Sequence, residues 1–141
     1  MTTIAKYDTL PLNLVNNLIN LNTHTFKIIL MSSAYTPSSA HALLADITNQ
    51  LSTGFGYTSG GQALTSVTLN RVGGVTTFDA ADVVWTASGG DIGPARYAAI
   101  YDDTAAGDPL MFLIDFGVDK TALNGANFNI RFHTNGIATV S

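Results

Sequence analysis

Apolar and polar positions in this chain alternate mostly at the period of a strand, and near the N-terminus the period lengthens to that of a helix. In "PLNLVNNLINL", residues 11–21, Leu14, Val15, Leu18, Ile19 and Leu21 recur at spacings of three and four, which predicts a short amphipathic helix with Pro11 in its first turn. Its other face is rich in asparagine, so it is weak alone and must dock on something. "FKIILMS" (26–32) follows as a strand. "YTPSSAHALLADITNQL" then predicts a turn at Pro37, a cap at Ser39 and a second short helix around 40–47.

From residue 53 the punctuation is that of an all-β chain. "TGFGYTSGG" is a glycine-rich connection, and "QALTSVTLN" sets Leu64, Ser66 and Thr68 against Thr65, Val67 and Leu69. "RVGGVTTFDAADVVWT", "ARYAAIYDD", "LMFLIDFG", "FNIRFH" and "IATVS" complete a series of short strands separated by turn signals. That rhythm predicts a mainly antiparallel β-sandwich of jelly-roll type. The expected organisation is an N-terminal arm with its helix at 1–25, followed by one β-sandwich domain at 26–141.

Two strands break the one-face rule. Ile28 and Leu30 point opposite to Ile29 and Met31, and Leu110, Phe112 and Ile114 opposite to Met111 and Leu113, yet all are apolar. A chain of 141 residues builds one core, so the second face needs another cover. The arm covers part of it, and a homo-oligomer using Ile29, Met31, Met111 and Leu113 is the expected cover for the rest.

Composition narrows the function classes. Charged residues are 11% of the chain, all ten acids are aspartate, and the net charge is -4, so Thr, Ser, Asn and Gly carry the polar surface. Nucleic-acid binding needs a basic stripe that this sequence lacks. With no cysteine there is no disulfide or thiol chemistry. No basic, apolar leader and no run of 18 apolar residues appear, so a soluble protein made in the cytoplasm, with no membrane partner, is expected.

The candidate chemistry reduces to structure. Asp102 and Asp103 are adjacent, so on a strand they face opposite ways and cannot flank a scissile bond; they are expected to punctuate a turn. Asp79 and Asp82 are also expected in turns, with no calcium-loop spacing around them. Asp115 lies inside an apolar strand and demands a partner, for which Arg96 and Arg131 are the candidates among the few cations near strands. His24, His41 and His133 lack metal-ligand spacing, so no metal and no cofactor is expected. Trp85 is expected in the core, and "GYTSGG" as a tight loop rather than a phosphate cradle.

The succession "GFGYTSGGQAL", "FDAADVVWTAS", "ARYAAIYDDT", "DPLMFLIDFG" and "FNIRFHTNGIATV", after "NLINLNTHTFKIILMSSAYTP", resembles a family of tailed-bacteriophage virion structural proteins of the capsid-decoration (cement) or head-fibre type. The resemblance covers nearly the whole chain. It departs from the family pattern at the Phe55 of "GFG" and at the start of "HTNGIATVS". The resemblance implies a non-enzymatic β-sandwich on the virion, trimeric in many members, whose partner is the major capsid protein. On that reading Leu14, Val15, Leu18 and Ile19 of the arm are the expected capsid contacts, and the arm orders on binding. One rival is a tail-fibre or baseplate component recognising the host surface through exposed Tyr57, Tyr97 or Tyr101. Another is a small glycan-active enzyme, which would need two aspartates facing across a cleft.

Overall fold

The computed structural model describes residues 2–140. Met1 and Ser141, which end the expected arm and the expected last strand, lie outside the described residues. Among the described residues ten strands and one helix follow one another: β1 (Thr3–Lys6), α1 (Leu10–Val15), β2 (Phe26–Met31), β3 (Gln62–Ala63), β4 (Thr68–Val72), β5 (Val75–Asp79), β6 (Val83–Thr86), β7 (Ile92–Asp102), β8 (Leu110–Ala122), β9 (Asn127–Ile130) and β10 (Ala138–Val140). A 3-10 turn occupies Leu44–Asp46. The chain is all-β, as the alternation predicts.

A five-stranded antiparallel sheet, in the order β1-β8-β7-β2-β3, is the spine. The three-stranded sheet β10-β5-β4 and the ribbon β6-β9 face it. Phe26, Ile28 and Leu30 of β2, Ile100 of β7 and Phe112, Ile114 and Phe116 of β8 point into this main core. They meet Phe78 of β5, Trp85 of β6 and Phe128 of β9 there. Trp85 is a core residue, edge-on to Phe128 and tilted against Tyr57.

The other face of the spine is also dry. Ile29, Met31, Ala99, Tyr101 and Leu110 form a second cluster with Tyr7 and Tyr35, against which Leu44, Ile47, Tyr97 and Leu113 pack. The cover is the chain's own segment from Ser32 to Leu51. It is pinned by backbone hydrogen bonds from Ser32 to Asn49, Leu51 to Leu30, Leu44 to Asp108 and Leu110 to Ala42. Ile29, Met31 and Met111 therefore have no exposed surface left for a subunit contact, Met111 lying in the main core, and Leu113 is half-buried. The expected oligomer interface is corrected accordingly: a mostly irregular segment, not a second subunit, covers that face.

Three local expectations also change. The N-terminal helix stops at Val15, because Asn16 caps it and Asn17 turns the chain left-handed at φ 64. The Asn16 side chain accepts from Leu18 N–H, a local bond that competes with continuing the helix. The second helix shrinks to the 3-10 turn, whose N–H groups at Ala42 and Leu43 are held by Asp46, while Ser39 donates to Asp8. The "QALTSVTLN" strand breaks at Ser66, φ 52, where the chain leaves the spine for the facing sheet.

The arm is built into the sandwich. β1 pairs with β8 over four positions, from Thr3 opposite Asp115 to Lys6 opposite Phe112, and Tyr7, Leu10 and Ile19 are buried. Residues 3–25 are thus an edge of the domain and not a detachable segment.

Candidate functional site

β1 is one edge of the spine and β10 is the corresponding edge of the facing sheet; no described strand pairs with the outer side of either. Residues opposite each other in an antiparallel pair share a face, so Ile4 and Lys6 point inward with their partners Ile114 and Phe112. Between the two edges the sandwich opens into a groove of about 570 Å³. Its floor is the buried Leu10, Phe78, Phe112 and Ile137, with the Phe78 and Phe112 rings stacked at 6.2 Å. Its walls are Ile4, Leu14, Val15, Leu21 and Val140, and Lys6 is the one charged lining residue among the described residues.

Mouth and floor differ in a way that matters. Val15 is 87% exposed and Val140 57%, so exposed apolar side chains stand on either side of an apolar hollow. The site is therefore a docking surface in chemical terms: large, apolar, poor in hydrogen-bonding side chains and flanked by two unpaired backbone edges.

A second, smaller cleft of about 360 Å³ opens beside the start of β1, lined by Thr2, Phe116, Lys120, Asn129, Ile130 and Arg131. The Lys120 ammonium stands 5.1 Å from the Phe116 ring centre and 5.7 Å from that of Phe128, so two aromatic faces hold it.

Of the expected arm contacts, Leu14 and Val15 line the groove and Leu18 is at the surface. Ile19 is 2% exposed within the main core, so it is not available to a partner. It left the expected face because the helix ended before it, at Val15. Asp115 accepts from Arg96 Nε at 2.9 Å and from the Gly117 N–H, and both hold its carboxyl below the usual carboxylate range. Arg131 is not its partner but belongs to the second cleft. The Arg96–Asp115 pair is half-exposed on the sheet surface, where the sequence suggested a buried one.

The aspartate pair splits. Asp102 is fully buried with both oxygens occupied, and Asp103 lies outside, 3.4 Å from Lys27. Asp79 and Asp82 accept from the N–H groups of Ala80 and Phe132. His24 meets Asp102, His41 meets Tyr35, and His133 accepts from Asn135 N–H; among the described residues no three potential ligands converge on a metal position. Tyr57 and Tyr101 are buried and hydrogen-bonded, and Tyr97 is half-buried between Tyr35 and Arg96, so the exposed tyrosines of the host-recognition rival are not there. The exposed aromatic is Phe55.

Ile4, Lys6 and Val140 were not legible in the sequence because the groove joins the two ends of the chain, and Lys120 was not because one of its ring partners, Phe128, comes from a different strand. The sequence does mark the scarcity of cations, six in all, and the structure pairs two of them, Lys27 and Arg96, with aspartates. No helix of the described residues is long and apolar enough to cross a membrane. No family model, no curated protein and no solved structure matches this chain.

Proposed function

We propose that this protein is a non-enzymatic virion structural component, a decoration protein that binds the outer surface of an assembled capsid lattice and stabilises it. The observation that carries the reading is the apolar groove between β1 and β10, a surface suited to holding another chain rather than to performing a reaction. The resemblance in residue order supplies the class of partner, the major capsid protein.

Stabilisation is by mass action. A ligand that binds the expanded shell and not its precursor lowers the free energy of the expanded state by RT ln(1 + [L]/Kd), which is about 2.7 kcal/mol at a hundredfold excess over Kd. The arm residues contribute as walls of a preformed groove, which removes the ordering cost a disordered arm would add. A trimer enters through the resemblance alone, because the strand faces that argued for one are covered within the chain.

Two named residues weigh against the glycan-enzyme reading: Asp102 is sealed from substrate and Asp103 is paired with Lys27. The test is cosedimentation with expanded and unexpanded shells of its own phage, alongside light scattering of the free protein. Pelleting with expanded shells alone is expected. A protein that stays in the supernatant with both shells ends this reading.

A further inference from the structure

The groove and the second cleft share one wall. Thr2 lines the cleft, and two and four residues further along the same edge Ile4 and Lys6 line the groove. At roughly 3.3 Å per residue, Thr2 and Lys6 are about 13 Å apart, so the apolar hollow and the cationic cleft lie end to end along β1.

The cleft's charge is out of keeping with the molecule. Net charge is -4 and ten aspartates are present, yet no carboxylate among the described residues lies within salt-bridge distance of Lys120 or Arg131, although both line the same cleft. Lys120 is held by aromatic faces, which fix its position without neutralising it. Two like charges lining one cleft favour an incoming anion. A polyanion would meet repulsion from the rest of the surface, so the chemistry fits one or two carboxylates and not a nucleic acid.

We infer that groove and cleft form one binding track for an extended, mainly apolar segment of the partner chain carrying a carboxylate at the end that reaches Lys120 and Arg131. Two of the walls, β1 and β10, are strands with an unpaired backbone edge, and an extended segment satisfies such an edge while setting alternate side chains into the hollow. Apolar contacts with Ile4, Val15 and Val140 provide the bulk of the burial, and the acid fixes direction and register. The inference rests on the shell-binding reading and assigns the segment to the capsid protein.

The test measures shell cosedimentation across a salt series for four proteins: wild type, Lys120→Gln/Arg131→Gln, Lys120→Arg, and Ile4→Ser/Val140→Ser. All substituted side chains are at least partly exposed, so unchanged thermal midpoints are expected and serve as the fold control. The charge variant should bind about tenfold more weakly or worse and lose most of its salt dependence, while Lys120→Arg binds like wild type. Ile4→Ser/Val140→Ser should weaken binding with its salt dependence intact. On shells, amide exchange should slow in β1 and β10.

If wild type pellets and the charge variant matches it at every salt concentration, the track is wrong and the decoration reading stands. If wild type does not pellet at all, the decoration reading itself has failed. If the free protein is a multimer that the charge variant dissociates, the occupant is a second copy and the assignment to the capsid protein is overturned.

Discussion

His24 Nδ1 lies 2.6 Å from Oδ2 of Asp102, a carboxylate with no accessible surface. A carboxylate only accepts, so the imidazole carries its proton on Nδ1 and donates it there. The Asn20 N–H, 3.3 Å from the same nitrogen, is then a contact and not a competing bond, since a protonated Nδ1 cannot accept. The second oxygen of Asp102 accepts from the N–H groups of Thr104 and Ala105. One buried side chain therefore ties the loop before β2 to the turn after β7, and the motif "YDDT" is structural at its first aspartate.

Asp102→Ala should destabilise the fold by about 3 kcal/mol, because it strands the N–H donors of Thr104 and Ala105 and leaves the part-buried imidazole without its partner. Urea unfolding read by tryptophan fluorescence measures it. A loss under 1 kcal/mol would mean that water replaces the carboxylate.

Glycines 61 and 73 have similar left-handed conformations, φ 78 and 63, but very different surroundings. A Cβ at Gly73 meets nothing within 4 Å, so Gly73→Ala should cost about 1 kcal/mol, the left-handed penalty alone. At Gly61 the same atom would fall on the Ile28 carbonyl of β2, and Gly61→Ala should cost about 3 kcal/mol. Equal losses in a denaturant series would refute the steric account.

Phe55 is 54% exposed and sits at φ 59, a region that bulky residues avoid. It is the first central residue of a tight turn closed by mutual backbone bonds between Gly54 and Tyr57. Asparagine tolerates that conformation, so Phe55→Asn should raise stability by about 1 kcal/mol. A lower thermal midpoint would show that the ring's contact with Gly90 outweighs the strain.

In acid, the pair on the sheet surface should become visible. The folded-state pKa of Asp115 is depressed, chiefly by the Arg96 hydrogen bond, so its contribution is present above the ordinary carboxylate range and is lost as pH falls through the lowered value. Asp115→Asn should therefore be less stable than wild type at pH 7, and the gap should close below about pH 4. The effect is small because both partners are part-exposed. A gap that persists at pH 2 would assign the loss to the amide's altered bonding to Gly117.

Alkali acts with the opposite sign. Burial pushes the Tyr57 and Tyr101 hydroxyls up to about 12, Tyr57 while it accepts from the Leu30 N–H and donates to Gln50. These groups favour the folded state below the unfolded value near 10, and that advantage is lost as pH rises from 10 through 12. Absorbance at 295 nm should show their ionisation coinciding with unfolding. Ionisation of every tyrosine near pH 10 with the fold intact would contradict their burial.

The sequence by itself determined the class of fold and most of its strands, because the alternation in "VVWT" and "FNIRF" and the short apolar run of "FKIILM" between turn signals are local properties fixed by which side of a pleat each residue occupies. It also made Asp115 demand a cation, since an acid between Ile114 and Phe116 has few other solutions. What tertiary structure alone decided is what lies against each face. Ile29 and Met31 read identically whether a subunit or the segment 32–51 covers them, and Ile19 reads as groove or core depending on one left-handed asparagine. The groove was illegible for the same reason: its walls come from residues 4 and 140, and no local pattern records that the two ends of a chain meet across an open sandwich edge.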